Sequence, residues 1–171
     1  EKTHDELQAV LVKGDQKNVH RVALHLPGTA QSEVPTDKRL KENGLRTEPA
    51  LSARAYQVGR VVLITSSLPG TQAANLQGIW NEDADPMWDS KYTTNINLQM
   101  NYWPVESANL SECAEPLYQW VKDVSDQGAQ LDKETYGAGG WVRHQNTDLG
   151  MVAAQMEGPN WGMLKPAGRS V

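Results

Sequence analysis

The chain of 171 residues carries 16 basic against 21 acidic residues, a net charge of −5, which argues against the basic face a nucleic-acid partner needs. No apolar run approaches the roughly 20 residues required to cross a bilayer, so no membrane partner is expected. One cysteine, Cys113, permits no internal disulfide, and the four histidines lack metal-ligand spacing, so no metal site and no cofactor are expected.

Residues 1–48 are polar, lysine-rich and free of aromatic side chains. Within them His20 to Leu26 alternates apolar and polar, the period of a half-buried strand, and Pro27-Gly28 stops it. Ser32 to Leu45 reads as a connector. From Leu51 to Ser67 two patterns compete. Val61 to Ile64 is a continuous apolar run that suits a buried strand, whereas Leu51, Ala55, Val58 and Val62 recur at helical spacing. Length favours a helix, ended by Pro69-Gly70. Residues 69–93, rich in Gly, Pro, Asn and Asp, form an irregular stretch, and a loop of that length in a compact domain is usually functional. Asn95 to Trp103 then reads as a helix stopped near Pro104. Asn109 and Glu112 form a capping pair for the next helix, which Pro116 moves toward Cys113. Leu117, Trp120, Val121, Val124, Gly128 and Leu131 give that helix its stripe, and Gly137 ends it. The fold class is mainly α, with a short β-strand and linker segment at the N-terminus.

Composition bears on chemistry as well. The chain has no Phe but six Trp and five Tyr. Flat rings with a polar edge suit sugars, stacking on their apolar faces and bonding their hydroxyls, although any single Trp also suits a core. The densest stretch runs from Gln72 to Trp103 and holds Trp80, Trp88, Asn95, Asn97 and Asn101. Asn95 fits a helix N-cap. Asn97 has no such role, and a mid-helix amide competes with the backbone. A set of neutral amides offers donors and acceptors for a water or a sugar hydroxyl without adding charge. A second cluster, Arg143 to Asp148, mixes His144, Asn146 and Asp148 beside Trp141, with Glu157 and Trp161 following. His144 suits a structural role as well as an acid–base one, and Asp148 suits a turn with Gly150 two places on. Cys113 fits a small buried residue better than an activated thiol. Spacing alone supports a carbohydrate site on a helical scaffold and names no reaction.

Longer motifs go further. Asn75-Leu-Gln-Gly-Ile-Trp-Asn81, followed by Thr94-Asn-Ile-Asn-Leu-Gln-Met-Asn-Tyr-Trp-Pro104, resembles the signature of family 95 glycoside hydrolases. Pro35 to Leu40, Gly59-Arg60, Ser66 to Gln72, Asn109 to Leu117 and His144 to Asp148 fit the same pattern in the same order, so the resemblance covers about residues 20 to 165. It implies an (α/α)6 helical barrel, of which residues 49–171 are an incomplete N-terminal part and residues 1–48 the linker region with its strand. It also implies inverting hydrolysis of α-linked L-fucose, with a fucosylated or L-galactosylated oligosaccharide as substrate. Asn95 and Asn97 correspond to the two asparagines that hold the attacking water. Trp80, Thr93, Trp103, His144, Asn146 and Asp148 are the expected substrate-binding residues. The family's general acid is a glutamate beyond the Trp161-Gly-Met motif, and its assisting aspartate lies later still. Both therefore belong to the missing remainder of a parent chain. Some fucosidases of the family carry histidine where this sequence has Thr93. The smaller side chain leaves room for the 6-hydroxyl that distinguishes L-galactose from L-fucose, so α-L-galactosidase is the alternative activity. A non-catalytic carbohydrate-binding module is the alternative of another class.

Overall fold

The structure, a computed structural model, describes residues 2–42, 48–151 and 153. The described residues are mainly helical and divide into two compact units, Glu1–Ile64 and Thr65–Val171. None of the described helices is long and apolar enough to cross a membrane.

The first unit opens with helix α1, His4–Val19, where the sequence pattern gives only a polar linker. A capping box starts it: the Glu6 amide donates to Thr3 Oγ1 at 3.3 Å and the Thr3 amide to Glu6 Oε2 at 2.8 Å. The expected strand from His20 to Leu26 is not formed, since no ladder reaches it among the described residues. Its neighbourhood is organised differently. The Arg60 guanidinium donates to the carbonyls of Asn18 at 3.0 Å, Val19 at 2.7 Å and Val22 at 3.2 Å. A side chain thus takes up carbonyls that a sheet partner would otherwise bond.

The expected connector also contains structure: a 3-10 turn, Ala30–Glu33, and helix α2, Thr36–Glu42. Helix α2 sets Arg39 against Glu48. Arg39 Nε lies 2.7 Å from Glu48 Oε2 and Nη2 lies 2.6 Å from Oε1, a two-pronged pair buried on both sides. Ser32 Oγ adds a third bond to Glu48 Oε1 at 3.0 Å. Helix α3, Pro49–Ser66, follows with proline at its first position, where the missing N–H costs nothing. The helical reading of this segment holds, but its face does not. Leu51, Arg60, Leu63 and Ile64 are buried, whereas Ala55, Val58 and Val62 of the expected stripe are exposed.

The second unit is built around Tyr102. Its hydroxyl lies 2.7 Å from Ser67 Oγ and accepts the Ala74 amide at 2.7 Å, while Ser67 Oγ donates to the Cys113 carbonyl at 2.9 Å. Since the Ala74 N–H must donate and the carbonyl must accept, the tyrosine hydroxyl donates to the serine. Burial is the main reason the Tyr102 pKa is raised. Cys113 is fully buried, as a small core residue. Of the stretch expected to be irregular, residues 69–93, the part up to Lys91 is so, apart from a bridge between Asn75 and Gly78 and a 3-10 turn, Met87–Ser90, whereas its last two residues form a strand.

Helix α4 is shorter than its sequence pattern, Asn97–Tyr102, and its N-cap is Ile96 rather than Asn95. Pro104 does not merely end it but opens α5, Pro104–Ser107. The N-cap position of the next turn, Ser111–Ala114, is Leu110, without a side-chain cap bond, rather than Asn109, which has φ 54°. Helix α6, Glu115–Tyr136, buries Trp120, Val124 and Gly128 and ends on a left-handed Gly137, φ 62°. Strands β1, Tyr92–Thr93, and β2, Asn146–Thr147, pair antiparallel, Tyr92 opposite Thr147 and Thr93 opposite Asn146.

Candidate active site

This two-residue ladder joins the two polar clusters, which lie far apart in sequence. Thr94 extends it: its amide donates to the Gln145 carbonyl at 2.9 Å and its hydroxyl to the same oxygen at 2.8 Å. Beside the junction is a cavity of about 270 Å³ lined by Leu76, Trp88, Thr93, Asn95, Asn97, Gln145 and Asn146. Sites for drug-sized ligands run from about 300 Å³ upward, so this one suits a single small ring. Its lining consists of one indole, one aliphatic side chain, a hydroxyl and four amides, with no charged group among the seven.

The two amides of the motif are left available. Among the described residues neither the Asn95 nor the Asn97 side chain has a hydrogen-bond partner, and both are exposed. Asn101, four residues on, is committed elsewhere, donating to the Asn75 carbonyl at 2.9 Å. Gln99 Nε2 donates back to the Thr94 carbonyl at 2.9 Å and steadies the turn that carries Asn95. Tyr92, the first residue of β1, donates its hydroxyl to the Ala73 carbonyl at 2.7 Å, and its ring meets that of Trp120 at 5.2 Å between centroids. Burial, then the nearby Tyr102, pushes the Tyr92 hydroxyl up to about 12. Arg143 lies over the Trp120 ring at 5.4 Å, a cation–π contact, and burial pushes its guanidinium pKa down to about 10.

Residues 3–170 match the family model described as Glycosyl hydrolase family 95 catalytic domain. The chain belongs to glycosyl hydrolase family 95. It is 40% identical over 171 residues to Alpha-L-fucosidase 2 of Arabidopsis thaliana, covering 97% of this chain and 20% of that protein. It is 32% identical over 163 residues to Probable alpha-fucosidase A of Aspergillus niger, covering 94% of this chain and 21% of that protein. A match to Probable alpha-fucosidase A of Aspergillus oryzae is 32% identical over 103 residues, 60% of this chain and 14% of that protein. The chain therefore spans about one fifth of the length of the first two relatives.

The residues singled out from this family 95 sequence divide into two groups. Thr93, Asn95, Asn97 and Asn146 come together around the cavity. Trp80, Trp103, His144 and Asp148 do not line it. Trp80 is exposed beside a second hollow formed with Gln77, Asn81, Glu82 and Asp83, and Trp103 is 64% exposed on the far end of α4. Asp148 shapes a turn, its Oδ1 accepting the Gly150 amide at 2.8 Å. His144 is buried, and its Nδ1 has no hydrogen-bond partner among the described residues. Glu157 and Trp161 lie outside the described residues.

Three lining residues were not picked from the pattern: Leu76, Trp88 and Gln145. Trp88 belongs to the dense aromatic stretch and was open to selection. Gln145 also accepts both Thr94 bonds through its backbone carbonyl, which carries no mark in a sequence. No group of three His, Cys, Asp or Glu that could hold a metal ion gathers among the described residues.

Proposed function

We propose that this chain is the water-holding part of the active site of a glycoside hydrolase that removes terminal α-L-fucose from oligosaccharides, with inversion. The observation that carries the reading is the pair of amides, Asn95 and Asn97, which line one cavity and whose side chains have no hydrogen-bond partner among the described residues. Inversion requires an acid at the leaving oxygen and a water activated on the opposite face. Two amides hold such a water by accepting its protons and donating to its oxygen, and neither is basic enough to deprotonate it unaided. An assisting aspartate and a glutamic acid come from the longer chain, in the family pattern, and with them the remainder of an (α/α)6 barrel. Residues 49–171 are the N-terminal part of that barrel and residues 1–48 its linker region. The exposed valines of α3, Val58, Val61 and Val62, support further helices packing there.

A second reading has its own support. Thr93 stands in the cavity wall opposite Asn146, and its small hydroxyl-bearing side chain accommodates a 6-hydroxyl, which favours α-L-galactosides as substrates. A pocket built around a hydroxyl rejects the sugar lacking it far more strongly than the reverse.

The test uses the full-length enzyme containing this chain, supplied with nitrophenyl α-L-fucoside and α-L-galactoside. Release of L-fucose is expected, with the β anomer seen first by proton NMR. The Asn95→Ala, Asn97→Ala double variant should lose about 10²-fold or more in kcat, as expected when the attacking water is no longer held in place. Unchanged kcat in that variant would sink the water-holding role and leave a carbohydrate-binding module as the better account.

A further inference from the structure

We propose that Trp88 is the stacking surface for the apolar face of the bound sugar, held over the cavity by a strained turn; the inference rests on the α-L-fucoside reading above. Trp88 is the one aromatic side chain among the residues lining the cavity. It is 60% exposed, so core packing does not explain its position. Trp80 and Trp103 are as exposed but stand away from this cavity.

The backbone beneath the ring is unusual. Trp88, Asp89 and Ser90 have φ values of 57°, 55° and 45°, three consecutive side-chain-bearing residues in the left-handed region. Left-handed residues other than glycine are individually costly and persist only where surrounding bonds impose them. Those bonds are present. The Asp89 amide donates to the Pro86 carbonyl at 2.9 Å, and Lys91 Nζ pairs with Asp89 Oδ2 at 2.9 Å. Ser90 Oγ donates to Asn75 Oδ1 at 3.3 Å, and the Leu76 amide donates to the Lys91 carbonyl at 3.2 Å. The turn is thus tied to the Asn75–Gly78 segment, whose Leu76 forms another part of the same wall.

The chemistry of the ligand fits this arrangement. A galacto-configured pyranose has its axial 4-hydroxyl on one face. The opposite side of carbons 3, 4 and 5 presents hydrogens, with carbon 6 at its edge. An indole covers such a surface well. Thr93, Asn95, Asn97 and Asn146 are then left for hydroxyls and water. L-fucose and L-galactose share that apolar face, so Trp88 governs affinity for both and leaves the choice between them to Thr93.

The experiment compares Trp88→Ala, Trp88→Phe and Asp89→Gly in the full-length enzyme. Trp88→Ala should raise KM for nitrophenyl α-L-fucoside about tenfold, with a much smaller change in kcat. Trp88→Phe should recover most of that loss. Asp89→Gly keeps the indole and relaxes the backbone, and it should raise KM by an intermediate factor without lowering the thermal midpoint. If Trp88→Ala does not fold, Asp89→Gly and Trp88→Phe decide: Asp89→Gly must raise KM while Trp88→Phe stays near the parent. Parent-like KM in all three variants overturns the stacking role and leaves the fucoside reading standing. A phenylalanine variant as poor as the alanine one also overturns it, because an aromatic face was present and did nothing. Release of a different sugar by the parent refutes the fucoside reading alone, and the same KM comparison on that sugar then decides Trp88. Absence of release from every nitrophenyl glycoside overturns both.

Discussion

The Val142 amide donates to the Gly128 carbonyl at 3.2 Å, and a Cβ on Gly128 would stand 2.4 Å from the Val142 carbonyl oxygen. Helix α6 and the segment leading into β2 therefore touch backbone to backbone, a contact only glycine permits. Alanine would gain about 1 kcal/mol in helix propensity over glycine. The overlap is with backbone that cannot swing aside, and overpacking of that kind costs about 1–3 kcal/mol or more. Gly128→Ala is expected to lower stability by about 1–2 kcal/mol net, read from chemical denaturation. A variant more stable than the parent would contradict the close approach.

Arg39 and Glu48 make the corresponding prediction for the first unit. Both are buried and bonded to each other through two prongs, with Ser32 as a further donor. Removing one charge strands the other, which costs about 3–5 kcal/mol. Glu48→Gln should approach that loss, whereas Arg39→Met with Glu48→Leu should recover a good part of it. A double variant no better than the single one would show that the pair is valued for its hydrogen bonds rather than for charge balance.

Alkaline stability should depend on Tyr92. Its hydroxyl titrates near 12 in the folded chain against 10 in the unfolded one. Below pH 10 both states hold the proton and the tyrosine's contribution is complete. Between pH 10 and 12 the unfolded chain ionises first and stability falls, by about 3 kcal/mol over the two units. Burial also lowers the pKa of the Arg143 guanidinium, to about 10, an effect common to every variant compared in this background. Comparing the parent with Tyr92→Phe cancels the arginine, since it is present in both. The difference in unfolding free energy should therefore shrink from pH 10 to pH 12, and a difference constant over that range would contradict the assignment.

Much of the second unit was legible because its signals are local. Trp120, Val124 and Gly128 recur every four residues and all face inward on α6, and Gly137 supplies the left-handed stop. The first unit was harder to read. Helix α1 depends on the Thr3–Glu6 capping box, visible as Thr-x-x-Glu but without an apolar stripe to draw attention to it. The alternation from His20 to Leu26 imitates a strand, yet the carbonyls around it are taken by Arg60, some forty residues later, which periodicity does not register. In α3 the apolar positions were found and the buried face was not, because a helix with apolar residues around much of its girth does not declare which side is covered. The site followed the same division. Thr93, Asn95 and Asn97 stood out as one motif and Asn146 as part of another, but a ladder of two residues per strand leaves no period by which to foresee their junction.

That junction yields the last prediction. Thr94 is buried between the motif and the second cluster, and both of its donors reach the Gln145 carbonyl. Thr94→Val preserves shape and deletes the hydroxyl, while the amide bond to the same oxygen remains. The stability loss should be modest, about 1 kcal/mol, as for one hydrogen bond whose acceptor keeps another partner. On the proposed water-holding role of Asn95, the effect on sugar release in the full-length enzyme should be larger in proportion, because Thr94 ties the strand next to Asn95 to the segment that carries Asn146. Misplacement of a positioning group by about 1 Å can cost about 10²-fold. We expect kcat to fall about tenfold with KM little changed, and Thr94→Ser to restore it. If instead Thr94→Val left kcat intact while losing the predicted stability, the hydroxyl would serve the fold alone, and the geometry of the amide pair would have to be fixed by Gln99 and the β1–β2 ladder.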